Sequence, residues 1–549
     1  MKRIHLLLYT LTLLALISCS PENNFDKVYS GISSTDYRQF LARIASDDFQ
    51  GRKPFTAGED STIRYLKNEF MQMGLKPGNG DSYFQEVPMV AITGTPSPVM
   101  KIKGGKRDID LNYWTDYVGT TLRVTDKVDL VNSPMIFAGY GIVAPEYNWN
   151  DYKNLDVRDK TVVVLVNDPG YGSGDSTFFK GKAMTYYGRW TYKYEEAARQ
   201  GAAAVLIIHD TAPASYPWEV VQNGWSGTQL HLETKDNNMS RCALEGWISL
   251  DAAKKLFANA GLDNYDFFAE ARKRDFKARS LNQVMSVQLQ NKISHSVSHN
   301  VLAVIPGSKR PDEVVIYTAH WDHFGIGVPV NGDSIYNGAV DNGSGTAALL
   351  ELAGSFMKLD VKPERTILFM AVTGEEQGLL GSEYYCSHPV YPPSKTVADL
   401  NMDAFNDYGR TKDFMVVGYG QSELEDYARK AAKKQGRYII PDAKPEAGGF
   451  FRSDHFSFAH IGVPALYGKG GIDSEELGKE WGLKQMKAYT ANRYHKPADN
   501  YAPDMNVDGM VQDIQLFFDV GHTLSMESTF PQWKEGSEFR AIREKEMNK

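Results

Sequence analysis

Cysteine is scarce in this chain, which has only Cys19, Cys242 and Cys386 among its 549 residues. Three cysteines provide neither a disulfide framework nor a cysteine metal site, so the hydrophobic core must stabilise the fold. Basic residues are not in excess, because 60 Lys and Arg stand against 68 Asp and Glu, and the formal net charge is −8. This mild acidity favours solubility and argues against a nucleic-acid partner. Internal repeats, low-complexity stretches and a second long apolar run are also absent from the sequence.

The N-terminus carries the one long apolar run, from Leu6 to Ile17, shortly after Lys2 and Arg3. A transmembrane helix needs roughly 20 apolar residues, so this run is too short to span a bilayer. Because the small residue Ser18 precedes Cys19, we predict a lipoprotein signal peptide and lipobox over residues 1–19. A lipidated Cys19 would then anchor an exported bacterial protein in the cell envelope, on a membrane face that the sequence leaves open. The alternative is a plain secretory signal with a chance cysteine.

A strand rich in β-branched residues is predicted at Glu313–Ala319, and His320 and Asp322 follow it. At a spacing of two, both side chains point to one side of an extended chain. A carboxylate beside a histidine is a usual means of orienting a metal-ligating imidazole. The pair alone is not specific, because most such pairs are ordinary surface residues.

Two further acidic sites lie beside apolar elements. The letters DNGSG precede a helical pattern of apolar residues, which places Asp341 just before a helix N-terminus. The apolar strand predicted at Thr366–Val372 leads into Glu375 and Glu376. Because adjacent residues in a turn project in different directions, one glutamate can bind a metal ion while the other faces a bound water. Strand ends and the turns beside them are where an α/β sheet places ligands and catalysts.

The motifs occur in the order HxD, DNGSG, GEExGLxGS, NMD and HxxxD, and the last two contain Asp403 and His495. In this combination they resemble the two-zinc aminopeptidase family that includes the bacterial leucyl aminopeptidases and the glutamate carboxypeptidase II relatives. The resemblance covers nearly the whole chain after the signal peptide. Gly51-Arg52 and the letters MGLKPG also resemble the N-terminal segment of that family.

The resemblance implies a centre of two metal ions held by five side chains: His320, Asp341, Glu376, Asp403 and His495. Asp341 would bridge the ions, with His320 and Asp403 on one side and Glu376 and His495 on the other. Two His nitrogens and three carboxylates suit two Zn²⁺, although such oxygen-rich sites also accept Co²⁺ or Mn²⁺.

The resemblance also implies two catalytic side chains. Glu375 would be the general base, taking a proton from water and handing it to the leaving amine. His455, in the letters SDH, would donate a hydrogen bond to the oxyanion of the tetrahedral intermediate. The alternative for His455 is that it only packs its loop.

The other acids and histidines near these motifs have supporting or structural interpretations. Asp322 would orient the ring of His320, and Asp499 that of His495, each from the side of the imidazole that faces away from the ions. His323 has no predicted role. The histidines expected to be structural are His209, with its neighbour Asp210, and His460 and His522.

Alternating strands and helices predict an α/β fold with a mixed, largely parallel sheet flanked by helices, as the resemblance implies for zinc exopeptidases. The length favours more than one domain. Residues 20–115 are predicted to form the N-terminal segment of the peptidase domain, and residues 291–549 the catalytic part. Residues 116–290 are rich in Gly, Tyr and short β runs, lack a metal-ligand cluster, and resemble an inserted protease-associated domain.

The function expected from this resemblance is that of a metal-dependent aminopeptidase acting on peptide substrates. Carboxypeptidases and dipeptidases carry nearly the same motifs and remain alternatives. Glutaminyl cyclases resemble the family but use a single zinc, so a complete set of five ligands argues against them. A catalytically silent binding protein of the same fold is a further alternative, and the presence of all ligands together with Glu375 argues against it.

Overall fold

The computed structural model describes residues 23–549. The predicted signal peptide and Cys19 lie outside these residues. Within them, none of the helices combines the length and the apolar character needed to cross a bilayer. Cys242 and Cys386 are both buried and free of disulfide bonds.

The N-terminal segment consists of three helices followed by the first strands of the main sheet. The predicted apolar stripe on the third helix, with Ile63, Leu66 and Phe70, is buried. The elements are α1 (Phe25–Gly31), α2 (Ser34–Ile44), α3 (Ala57–Gln72), β1 (Lys76–Pro77), β2 (Phe84–Pro96), β3 (Val99–Gly104) and β4 (Ile109–Asn112).

The middle segment contains short strands with five helices between them. Strands β9, β10 and β12 are parallel to one another and form the buried centre of this region. The elements are β5 (Tyr117–Thr120), β6 (Lys127–Phe137), β7 (Val143–Ala144), β8 (Trp149–Asn150), β9 (Thr161–Leu165), α4 (Trp190–Arg199), β10 (Ala204–Ile208), α5 (Thr211–Ala214), α6 (Trp218–Gly224), β11 (Thr228–Leu232), β12 (Leu244–Ile248), α7 (Leu250–Asn259) and α8 (Phe267–Ala271).

One long strand, β13 (Arg279–Ile305), joins the middle segment to the C-terminal part. Its first half pairs with β6 and β3, and its second half pairs with β2 and with a C-terminal strand. The predicted boundary between residues 290 and 291 falls inside this strand, and the division into domains stays a prediction.

The C-terminal part alternates strands and helices, as the sequence predicts. Its elements are β14 (Arg310–His320), β15 (Gly325–Val330), β16 (Asp333–Tyr336), α9 (Ser344–Met357), β17 (Arg365–Val372), α10 (Leu380–Ser387), β18 (Thr396–Asn401), β19 (Asp413–Val416), α11 (Leu424–Lys434), β20 (Tyr438–Pro441), α12 (His455–His460), β21 (Ala465–Gly470), α13 (Gly478–Asn492), α14 (Asp508–Met526) and α15 (Arg540–Met547).

The sheet of this part is mixed and largely parallel, which confirms the predicted fold class. Strands β17, β14, β18 and β21 run parallel in that order, whereas β13 pairs antiparallel with β17, and β19 pairs antiparallel with β21. Successive residues of a strand face opposite sides of a sheet. Accordingly, Val315 and Tyr317 pack into the core that contains α9 and α14, while Val314 and Ile316 pack with Tyr385 of α10 and Phe458 of α12. Helices therefore cover both faces, and only the strand ends remain open for a site.

Candidate metal centre

Three of the predicted site residues lie at the same edge of the parallel sheet. His320 is the last residue of β14, and it is in register with Val372, the last residue of β17. Thr318 of β14 is in register with Asn401, the last residue of β18. Glu375 and Asp403 follow these two neighbouring strands, so the carboxyl ends of β17, β14 and β18 bring them to His320.

Asp341 and His495 reach the same edge from loops. Asp341 lies in the turn before α9, and its peptide bond to Asn342 is cis. His495 follows the end of α13 with a positive φ of 56°. The carboxylate of Asp499 accepts hydrogen bonds from the backbone N–H groups of Val340 and Asp341, both at 3.1 Å. These bonds hold the two loops against each other.

The carboxylate of Asp341 lies between the two predicted ligand histidines. Its Oδ1 atom is 3.3 Å from Nε2 of His320, and its Oδ2 atom is 3.2 Å from Nε2 of His495. Asp403 Oδ1 lies 3.6 Å from His320 Nε2, and Glu376 Oε2 lies 3.3 Å from His495 Nε2. The structure thus brings all five predicted ligands together, in the two predicted pairs on either side of Asp341.

The donor atoms of this cluster fit zinc. His320, Asp341 and Asp403 offer ligand atoms within 4.8 Å of one another, and so do His323, Asp341 and Glu376. Imidazole nitrogen and carboxylate oxygen are zinc ligands. The buried Nε2 atoms of His320 and His323 have no hydrogen-bond partner within residues 23–549, which leaves their lone pairs or protons unsatisfied. A cation coordinated at this position would satisfy a neutral imidazole.

The electrostatics of the cluster also favour a cation. Burial raises the pKa of Glu375 and of Glu376 well above the ordinary range, and repulsion from Asp341 adds to the rise in both. Burial alone would lower the pKa of His320, but Glu375, Asp341 and Asp403 together raise it well above its usual value. Burial likewise opposes the charge of Asp341, yet the nearby rings of His320 and His495 lower its pKa well below the ordinary range. Carboxylates crowded in this way are stabilised by added positive charge.

The two adjacent glutamates both reach the cluster but lie beside different histidines. Oε2 of Glu376 is 3.3 Å from Nε2 of His495, whereas Oε2 of Glu375 is 3.9 Å from Nε2 of His320. Each glutamate also offers an oxygen within 4.8 Å of the other and of His320. The backbone N–H of Glu375 donates to Oδ1 of Asp322 at 3.1 Å. Glu375 is therefore beside the donor cluster with its main chain fixed.

The two carboxylates expected behind the histidines make different contacts. Nδ1 of His320 lies 3.1 Å from the backbone carbonyl oxygen of Asp322 but 3.8 Å from its carboxylate. Asp499 holds the backbone at Asp341 and accepts a hydrogen bond from Arg493 at 3.1 Å. Both carboxylates thus fix main-chain turns, and the carbonyl of Asp322 orients His320 so that its Nε2 faces the cluster.

His455 lies at the start of α12 with a fully buried ring. It packs against Phe450 and Tyr467, at ring distances of 4.6 and 5.0 Å. Neither ring nitrogen has a hydrogen-bond partner in the described part of the chain, and burial lowers its pKa to about 3. The ring is therefore neutral at pH 7, and its predicted role as a donor to substrate stays a prediction.

Two residues at this centre were not assigned from the sequence. Nδ1 of His323 lies 2.5 Å from Oε1 of Glu376, and the ring of Tyr494 stacks on His495 at 3.7 Å. The sequence indicated these two residues only by their position next to a motif residue, since His323 follows Asp322 and Tyr494 precedes a predicted ligand. Histidine and tyrosine next to a motif are common enough that this adjacency carries little information.

The remaining histidines make packing or backbone contacts. Nε2 of His209 lies 3.0 Å from the carbonyl oxygen of Tyr216, and Asp210 caps α5. His460 stacks on Phe456, and His522 packs on a ring of α1. These contacts agree with their structural interpretation.

Comparison with known proteins relates the C-terminal part to a peptidase family. Residues 300–518 match the family model described as peptidase family M28. Carboxypeptidase Q from Xenopus laevis is 26% identical over 269 residues, covering 48% of this chain and 45% of that protein. A probable leucine aminopeptidase 2 from Aspergillus oryzae is 28% identical over 325 residues, covering 55% of each chain.

The chain spans about half the length of these curated relatives. Among solved structures, the aminopeptidase from Aneurinibacillus sp. strain AM-1 aligns with 92% of this chain and 97% of its own. The sequence identity is 17% and the TM-score 0.49.

Proposed function

Because residues 300–518 match the model of peptidase family M28, we propose that the protein is a zinc-dependent exopeptidase that removes N-terminal residues from peptides. We further propose that it holds two Zn²⁺ at the cluster around Asp341. His320 and Asp403 would hold one ion, and Glu376 and His495 the other.

The observation that carries this proposal is the position of the Asp341 carboxylate, with one oxygen 3.3 Å from His320 and the other 3.2 Å from His495. With one oxygen beside each histidine, Asp341 would serve as a ligand in both proposed ion sites. Three carboxylates in the ligand set would offset three of the four positive charges of two Zn²⁺.

When bound, such a pair of ions supplies a Lewis acid for the substrate carbonyl and lowers the pKa of water. Glu375 accepts the proton of the attacking water and transfers it to the leaving amine, because it lies beside the cluster and is not one of the proposed ligands. Asp322 fixes the backbone of Glu375, and Asp499 fixes that of Asp341. Both catalyst and ligands are therefore held by the main chain before substrate arrives.

The substrate approaches from the side of His495 and Tyr494. The side chain of His495 is 36% exposed and Tyr494 is 42% exposed, whereas that of His320 is 1% exposed. The phenol of Tyr494 can reach a peptide bound at the ions and donate a hydrogen bond to it. His455 is the alternative donor, and its ring is buried against Phe450 and Tyr467.

A carboxypeptidase is the second candidate, favoured by the similarity to carboxypeptidase Q. Such an enzyme would use the same cluster but would take the free carboxylate end of the peptide. The two candidates differ in which end of the peptide must be unblocked.

The test is digestion of a defined peptide mixture by the protein lacking its first 19 residues, with the new ends identified by mass spectrometry. Each peptide is supplied free, N-acetylated and C-amidated. An aminopeptidase should cleave the free and amidated forms and leave the acetylated form intact. Cleavage of the acetylated form at the rate of the free form contradicts the proposal, and resistance of the amidated form instead supports the carboxypeptidase.

We also propose that residues 116–290 form a protease-associated domain that contributes stability or substrate access, and that a lipidated Cys19 anchors the exported protein at the cell envelope. The first proposal is supported by a hydrophobic cluster whose buried members all lie within this segment, among them Val164, Ile207 and Trp247. The second is supported by the signal pattern in residues 1–19.

A further inference from the structure

Arg52 is a buried arginine that is hydrogen-bonded to backbone carbonyls. Its side chain is 1% exposed. Nε donates to the carbonyl of Trp321 at 2.8 Å, and Nη2 donates to that of Gly338 at 3.0 Å. Nη1 donates to the carbonyls of Ile44 at 2.8 Å and Asn337 at 2.5 Å. One guanidinium thus joins three separate segments of the chain.

Two of these segments carry proposed metal ligands. Trp321 directly follows His320, and Gly338 begins the turn that leads to Asp341. The backbone carbonyl of Arg52 in turn accepts the N–H of His323 at 3.3 Å. The loop after β14 and the loop before α9 therefore meet on Arg52.

A second contact of the same segment reaches the loop that follows His495. The amide of Asn337 donates to Asp47 at 2.7 Å and to Asn500 at 2.8 Å. Asn500 is the neighbour of Asp499, whose carboxylate holds the backbone of Asp341. The stretch from residue 44 to residue 53 consequently contacts the loops that carry His320 and Asp341, and Asn337 links it to the loop after His495.

The backbone comes this close only because residue 51 is a glycine. Gly51 has a φ of +67°, and a Cβ atom there would lie 2.6 Å from the carbonyl oxygen of Tyr336 and 2.7 Å from that of Gly325. Those two residues flank the β15–β16 hairpin beside the cluster. A side chain at position 51 would therefore push the N-terminal segment away from the ligand loops.

The guanidinium of Arg52 lies on the inner side of the donor cluster. It forms no direct ion pair with a carboxylate in residues 23–549. Burial lowers its pKa to about 10, and the carboxylates of Asp322, Asp499, Asp341 and Glu376 oppose that effect. Arg52 thus stays charged at neutral pH and attracts the carboxylates that must gather around the ions.

We propose that Arg52 is a positioning residue of the metal centre, which fixes the spacing of His320 and Asp341 by holding the loops that carry them and so sets the affinity for zinc. This inference rests on the proposed zinc function. The competing interpretation is that Arg52 only stabilises the fold and has no effect on the metal centre.

Arg543 provides a matched control. It is also 1% exposed, and it donates to the backbone carbonyls of Pro393 at 2.6 Å and Thr396 at 2.9 Å. It lies on α15, and these carbonyls belong to the segment that enters β18, at the opposite end of that strand from Asp403.

The experiment compares Arg52→Lys with Arg543→Lys in the purified full chain. Zinc dissociation constants are measured by competition with a chromogenic chelator, and unfolding temperatures are measured without zinc. Both variants should unfold at a lower temperature than the wild type. Only Arg52→Lys should bind zinc more weakly, by about 10- to 100-fold, as expected for a residue that orients ligands. The affinity of Arg543→Lys should stay within about twofold of the wild type.

Wild-type zinc affinity in Arg52→Lys, or an equal loss in Arg543→Lys, would overturn the inference. Gly51→Ala serves if Arg52→Lys does not fold, because the added Cβ displaces the Arg52 segment from the ligand loops while Arg52 itself is kept. It should bind zinc several-fold more weakly, and unchanged affinity in it would then overturn the inference. Failure of the wild type itself to bind zinc would overturn the proposed function, and with it the premise of this inference.

Discussion

Nδ1 of His323 lies 2.5 Å from Oε1 of Glu376, while Oε2 of the same carboxylate faces His495 at 3.3 Å. Burial lowers the pKa of His323 well below its usual value, so the ring is neutral and carries a single N–H. With that proton on Nδ1, His323 donates to one oxygen of Glu376 and directs the other toward the proposed ion.

We expect His323→Ala to weaken zinc binding by about 10- to 100-fold, because Glu376 loses the bond that orients it. His323→Asn keeps a donor in the same place and should recover part of the affinity. Zinc dissociation constants of both variants measure the effect. Unchanged affinity in His323→Ala would show that Glu376 needs no such support.

The oxyanion donor can be identified by comparing Tyr494→Phe with His455→Gln. Tyr494 is exposed at the open side of the cluster, whereas the ring of His455 is fully buried. We therefore expect Tyr494→Phe to lower kcat by roughly 10²- to 10³-fold, the usual effect of losing one such donor, with zinc content unchanged. A larger loss in His455→Gln, with normal folding, would return the role to His455.

The positions of His320 and Glu375 were predictable from the sequence because short apolar strands lead into them, and that of Asp341 because it precedes a helical pattern. The motif resemblance added Asp403 and His495. The spacing of apolar residues and the composition of a segment reveal such strands, since a buried parallel strand must be apolar throughout.

Other features depend on tertiary contacts that local patterns do not encode. Helix α13 has no buried apolar face of the kind that marks an amphipathic helix, because Gly482 is its one buried residue. Strand β13 runs through the predicted domain boundary because its two halves pair with different segments. The carboxylates of Asp322 and Asp499 bond to backbone N–H groups, and spacing alone could not distinguish these acceptor roles from contacts with the histidines.

The purified protein should contain about two zinc ions per chain, because the donor cluster is divided into two groups by Asp341. A chelator should remove zinc and activity together, and added zinc should restore both. Elemental analysis after dialysis measures the ratio. About one ion per chain in fully active protein would favour the single-zinc cyclase chemistry.

Cys19→Ser should move the protein from the membrane fraction to the soluble fraction, because a lipidated cysteine is the proposed anchor. Fractionation followed by detection of the protein measures the effect, and Cys242→Ser is the control because that cysteine is buried. A Cys19→Ser protein that stays with the membrane would show that another contact holds it there.

The central claim is that Glu375 transfers the proton while Glu376 holds an ion. The two side chains are adjacent in sequence, yet Glu376 lies between His323 and His495, and Glu375 lies beside His320. Glu376→Gln is therefore the matched control for Glu375→Gln. It should lose zinc and recover part of its activity when zinc is added in excess.

The most direct test is to measure bound zinc and kcat together in Glu375→Gln. The account predicts wild-type zinc content and a kcat lowered by about 10²- to 10⁴-fold, because the amide cannot accept the proton of water. Loss of zinc from Glu375→Gln, with full zinc retained in Glu376→Gln, would contradict the assignment of the two residues.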